Sequence, residues 1–342
     1  MKINVGIIGF GTVGQGLVQI LLSKADYLQS NYNVEFVVTA VSDARMGMVY
    51  NPAGLDLQQL LSQAQAGTFS GNEFNGSNRE IIENTNTQVW CELTWTNLTD
   101  GMPATDHVRW ALGSGKHVAT SNKGPAALYY RELSELARQN GVEFRIEGTV
   151  VAGTPVLNLA EGPLAGCTID GVKGILNGTT NFILTMMEEG MDYESALSKA
   201  QQLGYAEADP TGDVEGFDAR GKVCILSNVV MGVPLKPDEI PCKGIAGITS
   251  ADIEKAKSEG KRWKLIGEAV KTADGKIKAG VAPEMVPLEH PLAGISGATN
   301  ALTFSTDLLG EVTIVGPGAG KSETGFALLS DMIYLARKYF LS

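Results

Sequence analysis

The sequence predicts an α/β fold: a Rossmann-type doubly wound parallel sheet with an inserted α+β domain. Three observations lead to this prediction. A short apolar strand at the start of the chain runs into a glycine-rich turn and an amphipathic helix, strands and helices then alternate, and a second glycine-rich turn precedes the last helix. The chain has 342 residues, more than one hydrophobic core usually serves, so we expect two domains.

The first element is an apolar strand over Lys2–Ile8, followed by a turn with glycines at three positions and then a helix. In a dinucleotide-binding turn the first glycine permits the sharp bend, the second lets a pyrophosphate approach the backbone, and the third lets helix and strand pack closely. A glycine-rich turn that binds nothing is the alternative, but the strand and helix around this one favour a dinucleotide. The candidate cofactor-binding residues here are Gly9, Gly11, Thr12, Val13 and Gly14.

The second strand is predicted over Val34–Val41 and leads to an acidic residue, Asp43, where the adenosine ribose of a dinucleotide is bound. Arg45 follows two residues later and could instead meet a 2′-phosphate. The cofactor is therefore NAD or NADP. The sequence leaves the choice open, with a lean towards NADP or the use of both.

The rest of the first half alternates helix and strand, as a doubly wound sheet requires. A surface crossover contains one helical piece, Asp56–Ala66; a strand is predicted over Gln88–Leu93, a helix over Pro103–Ser114 and a strand over His117–Thr120. Ligands of such sheets bind outside the carboxyl ends of the strands, where Lys123 is expected to lie. A solvated loop lysine is the alternative.

A bend of small residues over 147–155 follows a strand predicted at Gly141–Ile146, and we expect the chain to change domain there. A later turn over Asn177–Asn181 connects a strand at Val172–Leu176 to a helix at Phe182–Glu189. Its hydroxyls and backbone N–H groups could hold an anion such as an α-carboxylate, or simply cap the helix. The candidates in this turn are Gly178 and Thr179.

The second glycine-rich turn, before a helix predicted at Thr324–Phe340, suggests that the chain returns to the first domain. The predicted domains are residues 1–147 with 316–342 for the dinucleotide and residues 148–315 for the substrate, the latter within the usual size range of a domain.

The most informative segment, residues 203–226, places several carboxylates and one lysine before an apolar helix predicted over Gly216–Met231. Asp218 and Lys222 are four residues apart, so they project from one helical face. An ammonium beside a carboxylate and partly out of water is suited to donating a proton to a developing alkoxide. A surface salt bridge, worth about 0.3 to 0.5 kcal/mol, is the alternative.

Composition and charge restrict the class of partner. The chain has 27 basic and 38 acidic residues, a formal charge of −11, and no basic run, which argues against nucleic acid or an anionic membrane. Its four cysteines, at 91, 167, 224 and 242, have neither disulfide nor zinc spacing, so we expect reduced thiols and a cytoplasmic protein. The start of the chain has no secretion signal pattern, and no apolar run is long enough to span a membrane.

With these elements in order, the chain resembles the homoserine dehydrogenases over nearly its full length. The segments that carry the resemblance are IGFGTVGQGL, TSNKGP, EGTVVAGTPV, GILNGTTNFIL, LGYAEADPTGDVEGFDARGK and VGPGAGKSETGFALLSD. The resemblance implies an NAD(P)-dependent oxidoreductase that interconverts L-aspartate 4-semialdehyde and L-homoserine. It also implies a homodimer, built through the second domain, that serves threonine and methionine biosynthesis. The regulatory ACT domain of longer members is absent from the sequence, so threonine inhibition through such a domain is not expected.

The resemblance also implies roles for individual residues. Lys222 would be the acid/base, Lys123 would lie between cofactor and substrate, Asp218 would help position the substrate, and Glu207 would hold the α-ammonium group. The implied substrate-binding residues are Gly178, Thr179, Gly204, Tyr205, Glu207, Asp213 and Asp218. Further implied cofactor-binding residues are Thr94, Lys123, Gly318 and Gly320. A structural sodium ion, held mostly by backbone carbonyls, would involve Glu147, Val150, Ala152 and Thr154.

Two other functions remain open at the level of the sequence. A phosphorylating semialdehyde dehydrogenase would share the dinucleotide turn, but it needs a thiolate nucleophile, and none of the four cysteines has a histidine partner in sequence. A dinucleotide-sensing regulatory protein would keep Asp218 and Lys222 only as a structural pair. Turnover of homoserine with NADP⁺ separates all three.

Overall fold

The computed structural model describes residues 1–341 and confirms the predicted α/β fold. Its strands are β1 Lys2–Ile8, β2 Glu35–Asp43, β3 Gly47–Tyr50, β4 Val89–Glu92, β5 His117–Thr120, β6 Phe144–Arg145, β7 Ile169–Ile175, β8 Lys261–Lys271, β9 Ile277–Pro287, β10 Thr299–Thr306 and β11 Gly310–Pro317. Its α-helices are α1 Thr12–Ser23, α2 Ala25–Tyr32, α3 Leu57–Ala66, α4 Asn78–Asn84, α5 Ala104–Gly113, α6 Lys123–Leu128, α7 Tyr130–Gln139, α8 Val156–Glu161, α9 Gly178–Glu188, α10 Tyr193–Gln202, α11 Thr211–Val214, α12 Phe217–Val229, α13 Ser250–Ser258 and α14 Lys321–Leu335.

The chain divides into two compact units. The first unit contains Met1–Gly153 and Gly320–Ser342, and the second contains Thr154–Ala319. The boundaries predicted from the sequence were 147/148 and 315/316. Each unit has one sheet, so each is described by itself.

The sheet of the first unit has the order β3-β2-β1-β4-β5-β6. All neighbouring strands are parallel except β2 and β3, which form an antiparallel edge. The order reverses between β1 and β4, and this is the position at which doubly wound sheets bind their ligands. Buried side chains such as Val5, Ile7, Leu17 and Met332 form the core, which includes residues of the terminal helix α14.

The sheet of the second unit is antiparallel throughout, in the order β11-β10-β7-β8-β9. Helices α9 and α12 pack on it: the side chain of Val223 lies beside Gly267 of β8, where a methyl group would come within 2.8 Å of it. Of the polar residues that the sequence singled out, α9 carries Thr179 and α12 carries Asp218 and Lys222. Among residues 1–341, none of the helices is long and apolar enough to cross a lipid bilayer.

The predicted element bounds differ at several places, among them the start of α9 and both ends of α14, which was predicted over Thr324–Phe340. The sequence predicted a helix from Phe182, whereas α9 begins at Gly178 because the Asn177 side chain accepts a hydrogen bond from the Thr180 N–H and caps the helix. The first helix is also split: α1 ends at Ser23 and α2 begins at Ala25. The strand predicted at Gly141–Ile146 shortens to two residues.

Candidate active site

The glycine turn after β1 has the shape that close approach by a dinucleotide requires. Gly9 has φ +89°, and a Cβ at this position would lie 2.6 Å from the backbone carbonyl carbon of Leu93. A Cβ at Gly14 would lie 2.6 Å from the Gly9 carbonyl oxygen. Around Gly11, in contrast, a Cβ would meet nothing within 4 Å. The first and third glycines therefore serve packing, and the second leaves open space for a ligand.

Helix α1 presents its N-terminus at this turn. Gly11 is its N-cap residue, no side chain caps the helix, and no acidic residue lies in the first turn. Thr12 is exposed and Val13 is partly buried. The first N–H groups of an uncapped helix point outward and favour an anion, so this end fits the pyrophosphate of a dinucleotide.

Asp43, at the end of β2, is fixed beside the same turn. Its Oδ2 accepts a hydrogen bond from the Phe10 N–H at 2.9 Å, and its Oδ1 accepts bonds from the Arg45 and Met46 N–H groups at 2.9 and 3.2 Å. Oδ2 keeps a lone pair that a ribose hydroxyl could use. Arg45 is exposed, and the described part of the chain gives its guanidinium no partner. Asp43 thus lies against the glycine turn, and the exposed Arg45 follows it by two residues.

A buried polar network lies beneath the carboxyl ends of β4 and β5. The Thr94 hydroxyl donates a hydrogen bond to Glu92 Oε1, which also faces His107 Nδ1 at 3.4 Å. Glu92 and His107 are 1% and 3% exposed. On the other side, Asn122 Nδ2 donates to the Thr94 carbonyl at 3.0 Å. The network fixes Thr94, a predicted cofactor-binding residue, at the edge of the ligand crevice.

Lys123 is the first residue of α6 and is partly buried. Its backbone N–H lies 3.5 Å from the Thr96 hydroxyl, so this turn is tied to the loop after β4. The structure thus places Lys123 at a carboxyl edge of the parallel sheet, as predicted. It lies in the first unit, whereas Lys222 lies in the second.

In the second unit, Lys222 and Asp218 form the ion pair that their spacing predicts. Lys222 Nζ lies 2.7 Å from Asp218 Oδ2 and donates a second bond, also 2.7 Å, to the Leu176 carbonyl oxygen. The side chains of Lys222 and Asp218 are 8% and 21% exposed. This burial excludes an ordinary surface salt bridge, because a buried ammonium must be matched by acceptors to remain charged.

Asn177 links this pair to a second carboxylate. Its Nδ2 donates to Asp218 Oδ2 at 3.0 Å and to Asp213 Oδ1 at 2.7 Å, while its Oδ1 caps α9. Burial, with a smaller effect of the nearby Asp218 charge, raises the pKa of Asp213 above its ordinary value. Two carboxylates thus share one amide donor, and only Asp218 has the ammonium beside it. A cationic group of a ligand would relieve the charge at Asp213.

The remaining predicted substrate residues differ in their contacts and exposure. Gly178 is the first residue of α9, and the Thr179 hydroxyl donates to the Tyr205 carbonyl at 2.6 Å. The Tyr205 ring packs on Phe182, with centroids 4.9 Å apart, and is 46% exposed. Gly204 forms the turn after α10. Glu207 is exposed, and within residues 1–341 its carboxylate has no protein partner.

The terminal glycine turn is divided between the two units. Gly318 belongs to the second unit, where it packs against the Asn300 side chain, and Gly320 belongs to the first, where it precedes α14 beside Glu323. The buried Asn300 side chain leaves no room for a Cβ at Gly318, whereas a Cβ at Gly320, which has φ +139°, would require the Glu323 side chain to move.

The bend predicted to hold a sodium ion has an unusual backbone. Val151 has φ +48°, which is rare for a β-branched residue, and it is 1% exposed. Glu147 is buried, and its N–H donates to Asp331 Oδ2 at 3.0 Å. Val150 and Ala152 are buried in the first unit, and Thr154 is buried in the second. In the described chain, no group of three or more His, Cys, Asp or Glu side chains could hold a metal.

The cysteines do not supply a nucleophile. Burial raises the pKa of Cys91, Cys224 and Cys242, that of Cys224 to about 12, so these thiols stay protonated at neutral pH. Cys167 is partly buried, and the four are free thiols. A phosphorylating semialdehyde dehydrogenase, which needs a thiolate, therefore has no support in this structure.

An open glycine turn on a doubly wound sheet, and a buried ammonium among carboxylates, define a nicotinamide-dependent dehydrogenase. Models of the homoserine dehydrogenase family match the chain over both regions: the NAD-binding domain matches residues 9–147, and the homoserine dehydrogenase domain matches residues 155–333. The chain belongs to the homoserine dehydrogenase family. It is an NAD(P)-dependent oxidoreductase acting on homoserine, as the sequence predicted.

Individual relatives agree over almost the entire chain. The NAD(+)-dependent homoserine dehydrogenase of Pseudomonas canavaninivorans is 47% identical over 97% of this chain and 96% of its own. The homoserine dehydrogenase of Methanocaldococcus jannaschii is 42% identical over 96% and 97%. Among solved structures, a putative homoserine dehydrogenase from Archaeoglobus fulgidus has a TM-score of 0.87 at 39% identity, covering 97% of this chain and 99% of its own. A hyperthermophilic archaeal homoserine dehydrogenase in complex with NADPH has a TM-score of 0.83 at 32% identity, covering 99% of each chain.

Sequence reasoning missed one partner of Lys222 and one of its neighbour Asp218. The Leu176 carbonyl and the Asn177 amide come from a segment more than 40 residues away in the chain, and no local pattern pairs them with α12. Asn177 carried a usable signal, since an asparagine three residues before Thr180 is a typical helix N-cap. Its second role, as donor to Asp213 and Asp218, follows only from the packing of α9 beside α11 and α12.

Proposed function

We propose that Lys222 is the acid/base in the interconversion of L-aspartate 4-semialdehyde and L-homoserine. An ammonium has three donors, and Lys222 uses two of them, on Leu176 and Asp218. Among residues 1–341 no third acceptor meets this ammonium, so one N–H remains for the oxygen of the substrate. This unused donor on a buried, positioned ammonium is the observation that carries the proposal.

The nicotinamide ring, when bound, supplies or accepts the hydride at the carbon that carries this oxygen. During aldehyde reduction, the oxygen gains negative charge and Lys222 gives it a proton. During homoserine oxidation, the neutral amine of Lys222 takes the hydroxyl proton. Asp218 is a positioning residue, because it holds the ammonium rather than the substrate.

Lys123 is the second candidate for proton transfer. It lies at a carboxyl edge of the parallel sheet, beside the loop that follows β4. We propose that Lys123 binds substrate or cofactor there and that Lys222 moves the proton. The contacts of Lys222 favour this division, because a partly buried carboxylate and a carbonyl together hold its ammonium in one orientation.

We propose that the substrate's α-ammonium group is held by Glu207 with Asp213. The Glu207 carboxylate has no protein partner within residues 1–341, and Asp213 is partly buried beside another negative charge. A cation placed between them gives the Glu207 carboxylate a partner and stabilises the ionised form of Asp213. The substrate carboxylate would then lie near Gly178 and Thr179, at the N-terminus of α9, where the helix dipole favours an anion.

For the cofactor, we propose that both dinucleotides bind and that Asp43 and Arg45 set their ratio. The Asp43 carboxylate favours the ribose hydroxyl of NAD and repels a 2′-phosphate, whereas the exposed Arg45 attracts that phosphate. Arg45→Ala should therefore raise the KM of NADP⁺ and leave that of NAD⁺ unchanged. An equal effect on both cofactors would remove Arg45 from the binding site.

The family resemblance supports four further proposals. We propose a homodimer built through the second unit, a place in threonine and methionine biosynthesis, a cytoplasmic location, and a structural sodium ion at Glu147, Val150, Ala152 and Thr154. The buried, left-handed Val151 supports the last of these, since a strained residue suggests a constrained bend. Replacing sodium by choline should lower the melting temperature if the ion is bound.

The direct test of the proposed function is homoserine-dependent reduction of NAD⁺ or NADP⁺, followed by the absorbance of the reduced nicotinamide. Turnover should require L-homoserine and should not require phosphate. A protein that binds the dinucleotide without turnover would instead support a sensing role. Phosphate-dependent oxidation of the semialdehyde would support the phosphorylating dehydrogenase.

A further inference from the structure

Trp95 is the first residue of interest outside the proposed machinery. It follows the end of β4 by three residues and is 68% exposed, whereas Trp90 on the same strand is 1% exposed. Within residues 1–341 its indole has neither a hydrogen-bond partner nor a stacked ring. A single exposed aromatic residue is ordinary by itself. The position of this one on the sheet gives it significance.

The backbone that carries Trp95 is held on two sides. Asn122 Nδ2, after β5, donates to the carbonyl oxygens of Thr94 and Trp95 at 3.0 and 3.1 Å. On the opposite side, Gly9 packs against the backbone of Leu93 and Thr94, so closely that a Cβ would lie 2.6 Å from the Leu93 carbonyl. The indole is therefore presented from a fixed loop, directly beside the glycine turn.

The order of the strands decides which half of a dinucleotide Trp95 meets. A dinucleotide crosses such a sheet at the β1/β4 reversal, with its pyrophosphate at the glycine turn. Asp43, at the end of β2, lies on the adenosine side. Strand β4 lies on the other side of β1, so the loop with Trp95 lies on the nicotinamide side.

We propose that the Trp95 indole stacks on the nicotinamide ring and makes the enzyme discriminate between the oxidised and reduced cofactors. This proposal rests on dinucleotide binding at the glycine turn. The oxidised ring carries a positive charge and the reduced ring is neutral. The face of an indole attracts a cation more strongly than that of any other side chain, so Trp95 stabilises bound NAD⁺ more than bound NADH.

The experiment compares Trp95→Ala and Trp95→Phe with wild type in the absence of substrate. Dissociation constants of NAD⁺, NADH and ADP-ribose are measured by calorimetry. Trp95→Ala should raise the dissociation constant of NAD⁺ about 3- to 30-fold, the range that cation–π contacts of this kind span. The affinity for NADH should fall less, and the affinity for ADP-ribose should not change because this ligand has no nicotinamide. Trp95→Phe should recover part of the lost affinity for NAD⁺.

Energy transfer provides a second readout. Excited tryptophan should transfer energy to bound NADH, and Trp95→Phe should lower this signal more than Trp110→Phe does. Trp110→Phe is the matched control, because Trp110 lies on α5 in the same unit and its replacement should leave the affinities unchanged. Circular dichroism and melting curves establish that each variant is folded.

Three results would overturn the proposal. An equal loss of affinity for NAD⁺ and for NADH would show that Trp95 only supports the loop. A loss of ADP-ribose binding would place the indole on the adenosine side. Unchanged affinities for all three ligands would remove Trp95 from the cofactor site. If the wild-type protein binds none of the three ligands, the proposed dinucleotide site at the glycine turn is wrong, and the proposal for Trp95 is wrong with it.

Discussion

Replacing Lys222 by methionine tests the proposed proton transfer most simply. Methionine is also unbranched and apolar, so it fills most of the space and removes the ammonium. The change leaves the Leu176 carbonyl without its donor, while Asp218 keeps the bond from Asn177. An unsatisfied buried acceptor costs about 1 to 3 kcal/mol, so the variant should be less stable but still folded.

The catalytic loss should be far larger than the loss of folded protein. Positioned acid/base catalysis contributes about 10² to 10⁴-fold, which corresponds to about 2.7 to 5.4 kcal/mol of transition-state stabilisation. We therefore expect kcat for homoserine oxidation to fall by at least about a hundredfold. The dissociation constant of NAD⁺ should not change, because Lys222 lies in the second unit and the glycine turn in the first.

Lys264→Met is the matched control. Lys264 is also a fully buried lysine of the second unit, and its Nζ bonds to Asn181 Oδ1 at 3.0 Å and to the Ile295 carbonyl at 2.6 Å. It therefore reproduces the structural cost without the proposed chemistry, and its kcat should stay within about threefold of wild type. Near-normal turnover in Lys222→Met, or equal losses in both variants, would refute the role of Lys222.

Three further predictions concern binding and stability. Glu207→Gln should raise the KM of homoserine about 10- to 100-fold with little change in kcat, because it removes a charge-assisted bond. The control is Glu194→Gln, which replaces another exposed glutamate and should leave this KM unchanged. An unchanged KM in both variants would exclude Glu207 from the substrate site. Asp213→Asn should raise the free energy of unfolding at pH 7 by about 0.5 to 2 kcal/mol while weakening the binding of homoserine, since it removes a partly buried charge beside Asp218. Because the pKa of Asp213 is raised in the folded protein, ionising this group costs stability as pH rises above the unfolded value. The stability that Asp213→Asn gains should therefore shrink as pH is lowered towards about 4, where the wild-type carboxyl is protonated. A gain that does not depend on pH would contradict this. Burial lowers the pKa of Lys264 to about 8, so the unfolded chain binds this proton more tightly than the folded protein does. In urea titrations, wild type should therefore gain stability relative to Lys264→Met as pH rises from about 8 to 10. A stability difference between the two proteins that does not change with pH would contradict this.

The sequence predicted the parts of this structure that local patterns determine. The strand at Lys2–Ile8 and the strand at His117–Thr120 have the predicted bounds, because each is an apolar run with a polar or glycine-containing boundary. The pair of Asp218 and Lys222 followed from helical spacing alone. Helix α9 began earlier than predicted, because the Asn177 cap extends it over a turn whose threonines disfavour helix.

Long-range partners were not predictable in the same way. Glu92 is a buried carboxylate at the end of the apolar strand VWCE, and only the packing of α5 brings His107 to it. Leu176 meets Lys222 through a backbone carbonyl, and any residue type would supply that group. Such contacts depend on tertiary packing, on which composition and periodicity carry no information.

The most direct test of the central claim replaces Lys222 by thialysine, whose side chain ends in a slightly more acidic ammonium of nearly the same length. If position 222 exchanges the proton with the substrate oxygen, the rising limb of the pH profile for kcat/KM with homoserine should move to lower pH by the difference between the two side chains' pKa values. A profile that stays where it is in wild type, at comparable turnover, would show that another group carries the proton.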